Sequence, residues 1–401
     1  MKIDDKTSHN SPSIRFPEFT GEWEKCVLGD YGKVVTGNTP PTKDIENYEN
    51  GTYLWASPAD LGTHKLISET KTKLSSKGFT KTRPLSKGSV LVTCIGSTIG
   101  KTGMATREMS TNQQINSIVV NENNDNEFVY YVVQSAFPHY LSSIAVQAVP
   151  IISKSSFELL PSKRPSLQEQ NKIGKFLSLL DERISTQHRL IDRLQSLIKG
   201  IMVKLQQQGL SKGTWKRVPL SSILKERTEL NEGLLPVYSV SVSQGVVNQM
   251  EYLGRSFAAK DTSKYHVAHF GDLIYTKSPT GSFPYGIVKQ NSNRYKVAVS
   301  PLYGVYTPAN YFTGVFLQEY FKSEVNTFNY LHSLIQKGAK NTINITNQRF
   351  LDNYILIPTD SNDLQQISNL LLRLNAKKDL MQNMLQQYQE QKQYLLRQMF
   401  I

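Results

Sequence analysis

The sequence predicts an α+β protein built by duplication: two pseudo-symmetric mixed α/β domains separated by two long helices that form an antiparallel coiled coil. Three observations predict it. Short motifs recur in the same order in both halves, two segments carry an apolar stripe at alternating spacings of four and three, and short β-branched runs lie between Gly, Pro, Asn and Ser. A length of 401 residues also suits two domains of about 150 residues each plus a connecting element.

The repeat is read from spacing. Gly21-Glu22-Trp23 with Leu28 returns as Gly213-Thr214-Trp215 with Leu220, the Trp-to-Leu interval being five in both. Lys87-Gly88-Ser89-Val90-Leu91-Val92 answers His269-Phe270-Gly271-Asp272-Leu273-Ile274-Tyr275, a turn glycine feeding an apolar strand. Ile152 and Phe157 stand before Pro165 as Ile345 and Phe350 stand before Pro358, and each proline opens a helical stretch. The expected division is a domain over 1–165 with a flexible tail at 1–14, a spacer helix over 166–209, a domain over 210–358 and a second spacer helix over 359–401.

In the first long helix Ile173, Leu177, Leu180, Ile184, Gln187, Ile191, Leu194, Ile198, Ile201 and Leu205 form an a/d seam; in the second Ile367, Leu371, Leu374, Lys378, Met381, Leu385, Tyr388, Lys392, Leu395 and Met399 do. A helix of about 43 residues is roughly 64 Å long and cannot bury such a seam against one compact body. The two stripes are therefore expected to pack on each other, antiparallel if a two-fold relates the halves; the alternative is that each folds back on its own domain. Gln187, Lys378 and Lys392 interrupt the seam and are expected to fix register, to meet a partner, or simply to face solvent. In the globular halves 89–95, 117–120, 236–240 and 353–357 read as strands, and 127–143 and 314–336 as helices.

Charge narrows the function. Lys and Arg number 46 against 33 Asp and Glu, a net +13, which favours a polyanionic partner, nucleic acid first. The longest apolar runs are too short to cross a membrane and the first residues lack the pattern of a signal peptide, so a cytosolic protein is expected. Two cysteines, Cys26 and Cys94, cannot make a metal tetrad, and the seven histidines show no ligand spacing; no metal site is expected. Gly96-Ser97-Thr98-Ile99-Gly100-Lys101-Thr102 imitates a P-loop with its glycine spacing one residue short and no helix after it. No Gly-x-Gly loop with an Asn/Asp-Pro-Pro-aromatic motif is present, which excludes a methyltransferase. Asp60 with Glu69-Thr70-Lys71 could compose a nuclease site holding Mg²⁺, but such acid-x-Lys triplets also occur at Asp4–Lys6 and Glu390–Lys392, and the second half lacks the set.

The opening Arg15-Phe16-Pro17-Glu18-Phe19 with Trp23, the run Glu169-Gln170-x-x-Ile173 followed by Leu180-Asp181, and the two-copy layout together resemble type I restriction-modification specificity (S) subunits over nearly the whole chain. The second copy departs, with Leu364-Gln365-Gln366-Ile367 in place of the Glu-Gln-x-x-Ile pattern and Asn375 in place of Asp181. The resemblance implies that each globular half is a target-recognition domain reading one half of a bipartite double-stranded DNA target, asymmetric because the halves differ. It implies two modification (methyltransferase) subunits and two restriction (translocase/nuclease) subunits as partners, which carry S-adenosylmethionine, ATP and Mg, and no catalysis or cofactor in this chain. A stand-alone Mg-dependent nuclease is the alternative, and a scaffold without sequence preference a third.

Basic residues concentrate at equivalent places: nine with one acid over 62–107, seven with two acids over 254–300. Lysines there are expected to neutralise phosphates, and loop side chains with directional donors and acceptors to read bases. The expected DNA-binding residues are Asn38, Thr39, Lys77, Lys81, Arg83, Ser97, Thr98, Lys101, Asn112 and Gln113 in the first half, and Ser243, Gln244, Lys260, Lys264, Lys277, Thr280, Ser282, Arg294, Lys340 and Asn341 in the second.

Overall fold

The computed structural model describes residues 11–143, 150–233, 235–255, 258–337 and 343–401. The chain divides into two compact units, Met1–His188 with Met384–Ile401, and Arg189–Asn383. Each contains an α/β body and a stretch of both long helices.

In the first unit a five-stranded sheet runs in the order Gly32–Thr36, Ile115–Val120, Val90–Thr93, Thr102–Ala105, Leu66–Ile67. Neighbours are antiparallel except the last pair. Alternation along Val90–Thr93 explains its unbroken apolar run. Val90 and Val92 enter a core with Trp23, Tyr31 and Phe128, whereas Leu91 points into a second core with Leu54, Leu85 and Met109. Glu24–Val27 pairs with Pro161–Arg164, and the helix Lys154–Glu158, capped by the Ser153 hydroxyl, inserts a fully buried Phe157.

The second unit repeats this plan with one strand fewer. Its sheet runs Leu224–Glu226, Gly304–Pro308, Leu273–Tyr275, Val288–Gln290, all antiparallel. Leu273 and Tyr275 enter a core with Trp215, Phe316 and Phe350, and Ile274 points into another with Val246, Val297 and Val305. Trp215–Pro219 pairs with Tyr354–Pro358, and the helix Asn347–Asp352, capped by Thr346, inserts Phe350. The motif repeat is thus a repeat of layers.

The helix Asn126–Ser143 matches the expected 127–143, but the segment 314–336 is not one helix. It comprises Tyr311–Phe321, Glu324–His332 and a short strand at Gln336–Lys337. Ser323 adopts an extended backbone and its hydroxyl accepts the Asn326 N–H at 3.3 Å, starting a new helix where periodicity alone continues the old one.

The long helices are Leu167–Ser211 and Ser361–Gln398. In the first unit Ile173 and Leu177 share a core with Leu396 and Met399, Asp181 pairs with Lys392 at 2.7 Å, and the Arg183 guanidinium lies 5.0 Å from the Tyr388 ring centre. Residue numbers rise on one helix as they fall on the other, so the helices are antiparallel. In the second unit Ile198, Met202 and Leu205 share a core with Leu364, Ile367 and Leu371. All the seam positions are buried or half-buried. Met202 is more buried than the expected Ile201, the drift of a 3.6-residue turn against a 3.5-residue repeat. Among the described residues no helix is long and apolar enough to cross a membrane.

Candidate nucleic-acid interface

Three segments of the first unit meet at one end of its sheet: 36–39, 94–101 and 111–115. Asn112 and Gln114 make the tightest turn there. The Asn112 side chain accepts the Gln114 N–H at 3.0 Å and donates to Gln114 Oε1 at 3.0 Å, while the Ile115 N–H reaches the Asn112 carbonyl at 3.2 Å. The Cys94 N–H donates to the Gln114 carbonyl at 2.8 Å, joining the turn to the neighbouring loop. Gln113 stands exposed at the apex, and the Thr39 hydroxyl donates to its Oε1 at 2.5 Å.

Asn38 braces the same surface. Its amide donates to the Lys81 carbonyl at 2.8 Å and accepts the Arg83 N–H at 3.1 Å, and its carbonyl accepts the Trp55 indole N–H at 3.1 Å. Asn38 and the buried Asn112 thus spend their amides on backbone and turn. Gly96 and Gly100, at φ 96° and 89°, turn the 94–101 loop back on itself. Ser97 and Lys101 are exposed on that loop and Thr98 is half-buried. A strand, Thr102–Ala105, follows it, not the helix a phosphate loop requires.

The cations divide into paired and unpaired. Lys77 pairs with Glu46 and lies 3.7 Å from Asp44; Lys81 binds Asp44 at 2.9 Å, and this contact holds the Asp44 carboxyl below the usual carboxylate range. Arg83 donates to the Thr36 carbonyl at 2.7 Å. Lys71, Lys87 and Lys101 make no ion pair among the described residues. Lys65, one of the basic cluster, is not at the surface: it donates to the Tyr131 hydroxyl at 3.0 Å and Ser178 at 3.1 Å and pairs with Glu127.

In the second unit the loop 276–286 leaves the equivalent strand end. Gly286, at φ 94°, stands two residues before its strand as Gly100 does. Lys277 has a positive φ of 52° and is half-buried, which lowers its pKa. Thr280 exchanges two 3.0 Å backbone bonds with Phe283 and its hydroxyl donates to the Ser278 carbonyl; the Ser282 hydroxyl donates to Glu324 at 2.6 Å. Ser243 and Gln244 are exposed at the tip of the hairpin Tyr238–Ser241/Gly245–Asn248. That tip is held from beneath by Lys289, whose ammonium donates to the Val242 carbonyl at 2.7 Å and whose burial pushes its pKa down to about 8. Lys260, Lys264 and Arg294 are exposed on loops; Lys340 and Asn341 lie outside the described residues.

Leu302, which charge and hydrogen-bonding criteria pass over, is 71% exposed in the turn 300–303 that leads into Gly304–Pro308. Its signal in the sequence was the apolar residue between Ser300-Pro301 and Gly304, a turn composition around a side chain that has no turn role. The carboxylates of the nuclease alternative are engaged otherwise. Asp60 accepts from the Ser57 N–H and hydroxyl and from the Lys71 N–H, and Glu69 pairs with Lys73. Among the described residues no three His, Cys, Asp or Glu side chains gather as a metal site needs.

Residues 20–196 match the family model for the type I restriction modification DNA specificity domain. The chain is 28% identical over 182 residues to the type I restriction enzyme MjaIX specificity subunit of Methanocaldococcus jannaschii, covering 44% of this chain and 42% of that one. To the MjaVIII specificity subunit of the same organism it is 26% identical over 247 residues, covering 58% and 55%. The matched stretches thus span about half the length of these relatives. The fold is similar to the crystal structure of the type I restriction-modification system S subunit from M. genitalium, with a TM-score of 0.64, 14% identity, and 98% and 99% of the two chains covered. In sequence, residues 20–196 are thus similar to the type I restriction modification DNA specificity domain, and in fold the chain is similar to an S subunit along nearly its whole length.

Proposed function

We propose that this chain is the sequence-specific DNA-binding specificity subunit of a type I restriction-modification system, reading an asymmetric bipartite duplex with one half-site per unit. The observation that carries the reading is the repeated sheet end: in both units a glycine-turned loop and a tight turn present exposed polar or apolar tips beside surface cations. Lys71 and Lys101 in the first unit and Lys260 and Lys264 in the second supply phosphate contacts that orient the duplex, and loop tips supply discrimination, whereas Lys87 and Arg294 stand off the far ends of their strands. Lys77, Lys81 and Arg83 flank the first site; Thr39, Ser97, Thr98 and Gln113 lie on it, with Ser243, Gln244, Thr280 and Ser282 as counterparts. Asn38 and Asn112 shape the surface.

In this reading the chain performs no bond chemistry. Two modification subunits using S-adenosylmethionine and two restriction subunits using ATP and Mg are its partners, in the cytoplasm with the DNA. The test is selection from a random duplex library by the full chain with its modification subunits. One bipartite consensus is expected, and exchange of residues 15–165 for those of a relative should change one half of it. Recovery of random sequence, or metal-dependent cleavage by the chain alone that Glu69→Ala abolishes, overturns the proposal.

A further inference from the structure

Each unit contains one turn that passes the chain from its outer sheet into its central sheet. In the first unit Ser110–Thr111 pairs with Tyr53–Ala56, residues 112–114 turn, and Ile115–Val120 enters the central sheet. In the second Val297–Val299 pairs with His266–Ala268, residues 300–303 turn, and Gly304–Pro308 enters the central sheet. The first residues of these central strands stand opposite Thr93 and Tyr275, where the glycine-turned loops begin, so both turns lie at the candidate interface. Two residues before the central strand, the first unit has Gln113 and the second Leu302.

Both turns are stiff. The Asn112–Gln114 bonds fix one; the Tyr303 N–H to Ser300 carbonyl bond at 3.0 Å, the Leu302 N–H to Ser300 hydroxyl at 3.3 Å and His266 Nδ1 against the Tyr303 carbonyl at 2.9 Å fix the other. Gln113 is exposed yet held in one orientation by Thr39, which costs side-chain entropy without covering apolar surface. Leu302, 71% exposed, leaves apolar area in water beside polar loops. Neither side chain is buried in its own unit, and each suits contact with a base edge. A carboxamide whose oxygen keeps one lone pair beside the Thr39 bond and whose amine is exposed matches the N6–H and N7 of adenine, and an isobutyl group matches the C5 methyl of thymine.

We infer that this inter-sheet turn is the base-reading turn of both units, with Gln113 specifying an adenine and Leu302 the methyl of a thymine in the major groove. The inference rests on the DNA-recognition reading above. It assigns the difference between the two half-sites in part to one exchange at equivalent positions, hydrogen bonding for methyl contact. Because the turn is built from backbone and Ser, Asn or Gln bonds beneath the apex, the apex side chain can be changed without unfolding the support.

The experiment uses the full chain with its modification subunits and the duplex selected above. Replacing one adenine by 7-deazaadenine removes N7, and replacing one thymine by uracil removes only the methyl. Wild type is expected to lose about tenfold in affinity at one adenine of the first half-site and a few-fold at one thymine of the second. Gln113→Ala should be indifferent to the deaza substitution and keep its thymine sensitivity; Leu302→Ala should be indifferent to the uracil and keep its adenine sensitivity. Variants that retain every wild-type sensitivity overturn the inference while leaving the specificity-subunit reading intact. A wild-type protein without a selected consensus overturns both.

Discussion

The two units are copies in layer order, but they fasten their bodies to the long helices by different chemistry. In the first unit Glu169, 1% exposed, accepts Arg15 through both oxygens at 2.8 and 2.7 Å and the Trp23 indole N–H at 3.3 Å. Aligning Ile173 on Ile367 and Asp181 on Asn375 puts Asp363 in place of Glu169, and Asp363 is exposed. The same alignment replaces buried Gln170, bonded to Asn124 and the Pro165 carbonyl, by buried Leu364. Unit one thus adds a buried ion pair and a buried amide to its apolar contacts, whereas at these two positions unit two has a surface carboxylate and a leucine, with a buried polar link in the bond from the Ser368 hydroxyl to the Phe312 carbonyl at 2.9 Å. A shared fold therefore does not fix which interactions hold it, and equivalent substitutions should have unequal effects.

The largest inequality is expected at the carboxylates. Glu169→Ala leaves the half-buried Arg15 guanidinium and the buried Trp23 N–H without their acceptor and should cost about 3 kcal/mol; Asp363→Ala, at the surface, should change stability by less than about 0.5 kcal/mol. Urea unfolding of the full chain checks both. Equal losses would break the comparison.

The next concerns the sheets. Where the first unit has Gly103, closely covered by Ile67 and Leu61 of its fifth-strand region, the second has Lys289 reaching the Val242 carbonyl. Burial there costs the ammonium its hydration, so Lys289 loses its proton near 8 in the folded chain against 10.5 ordinarily. Between those pH values the unfolded chain binds more protons, and stability attributable to this group rises with pH by an amount on the order of 3 kcal/mol. The difference in unfolding free energy between wild type and Lys289→Met should therefore shift in favour of wild type from pH 8 to 10.5. A flat difference would show that the ammonium is hydrated.

What the sequence discloses divides along the same line. The helix seam, the paired tryptophans and the Phe157 and Phe350 plugs were readable because periodicity and spacing are local. Strand order was not, since Lys33 meets Val119 and Lys216 meets Ile357 across long stretches of chain. The candidate site was readable as a set of loops but not as a set of roles. Asn38 resembles a base reader until its partners at 81–83 are seen, Lys65 resembles a phosphate contact until Tyr131 covers it, and Leu302 carries no polar group to attract notice. Charge and residue type indicate what a side chain is able to do; long-range contacts decide whether it is free to do it.

The smallest expected effect is also the most selective. Lys392, 13% exposed, sits in the helix seam against Asp181, 17% exposed, which also accepts the Tyr131 hydroxyl at 2.6 Å. The offset that carries Asp181 onto Asn375 carries Ile198 onto Lys392, so in the second unit both members of the pair are neutral together. Asp181→Asn alone leaves an ammonium in an apolar seam, and Lys392→Ile alone leaves a carboxylate there; each should cost about 2 kcal/mol. The double variant rewrites the first unit in the chemistry of the second and should cost less than the sum, with a coupling of about 1–2 kcal/mol in urea unfolding. Additive losses would mean that the pair is merely adjacent, and that the joint exchange between the units has no energetic cause.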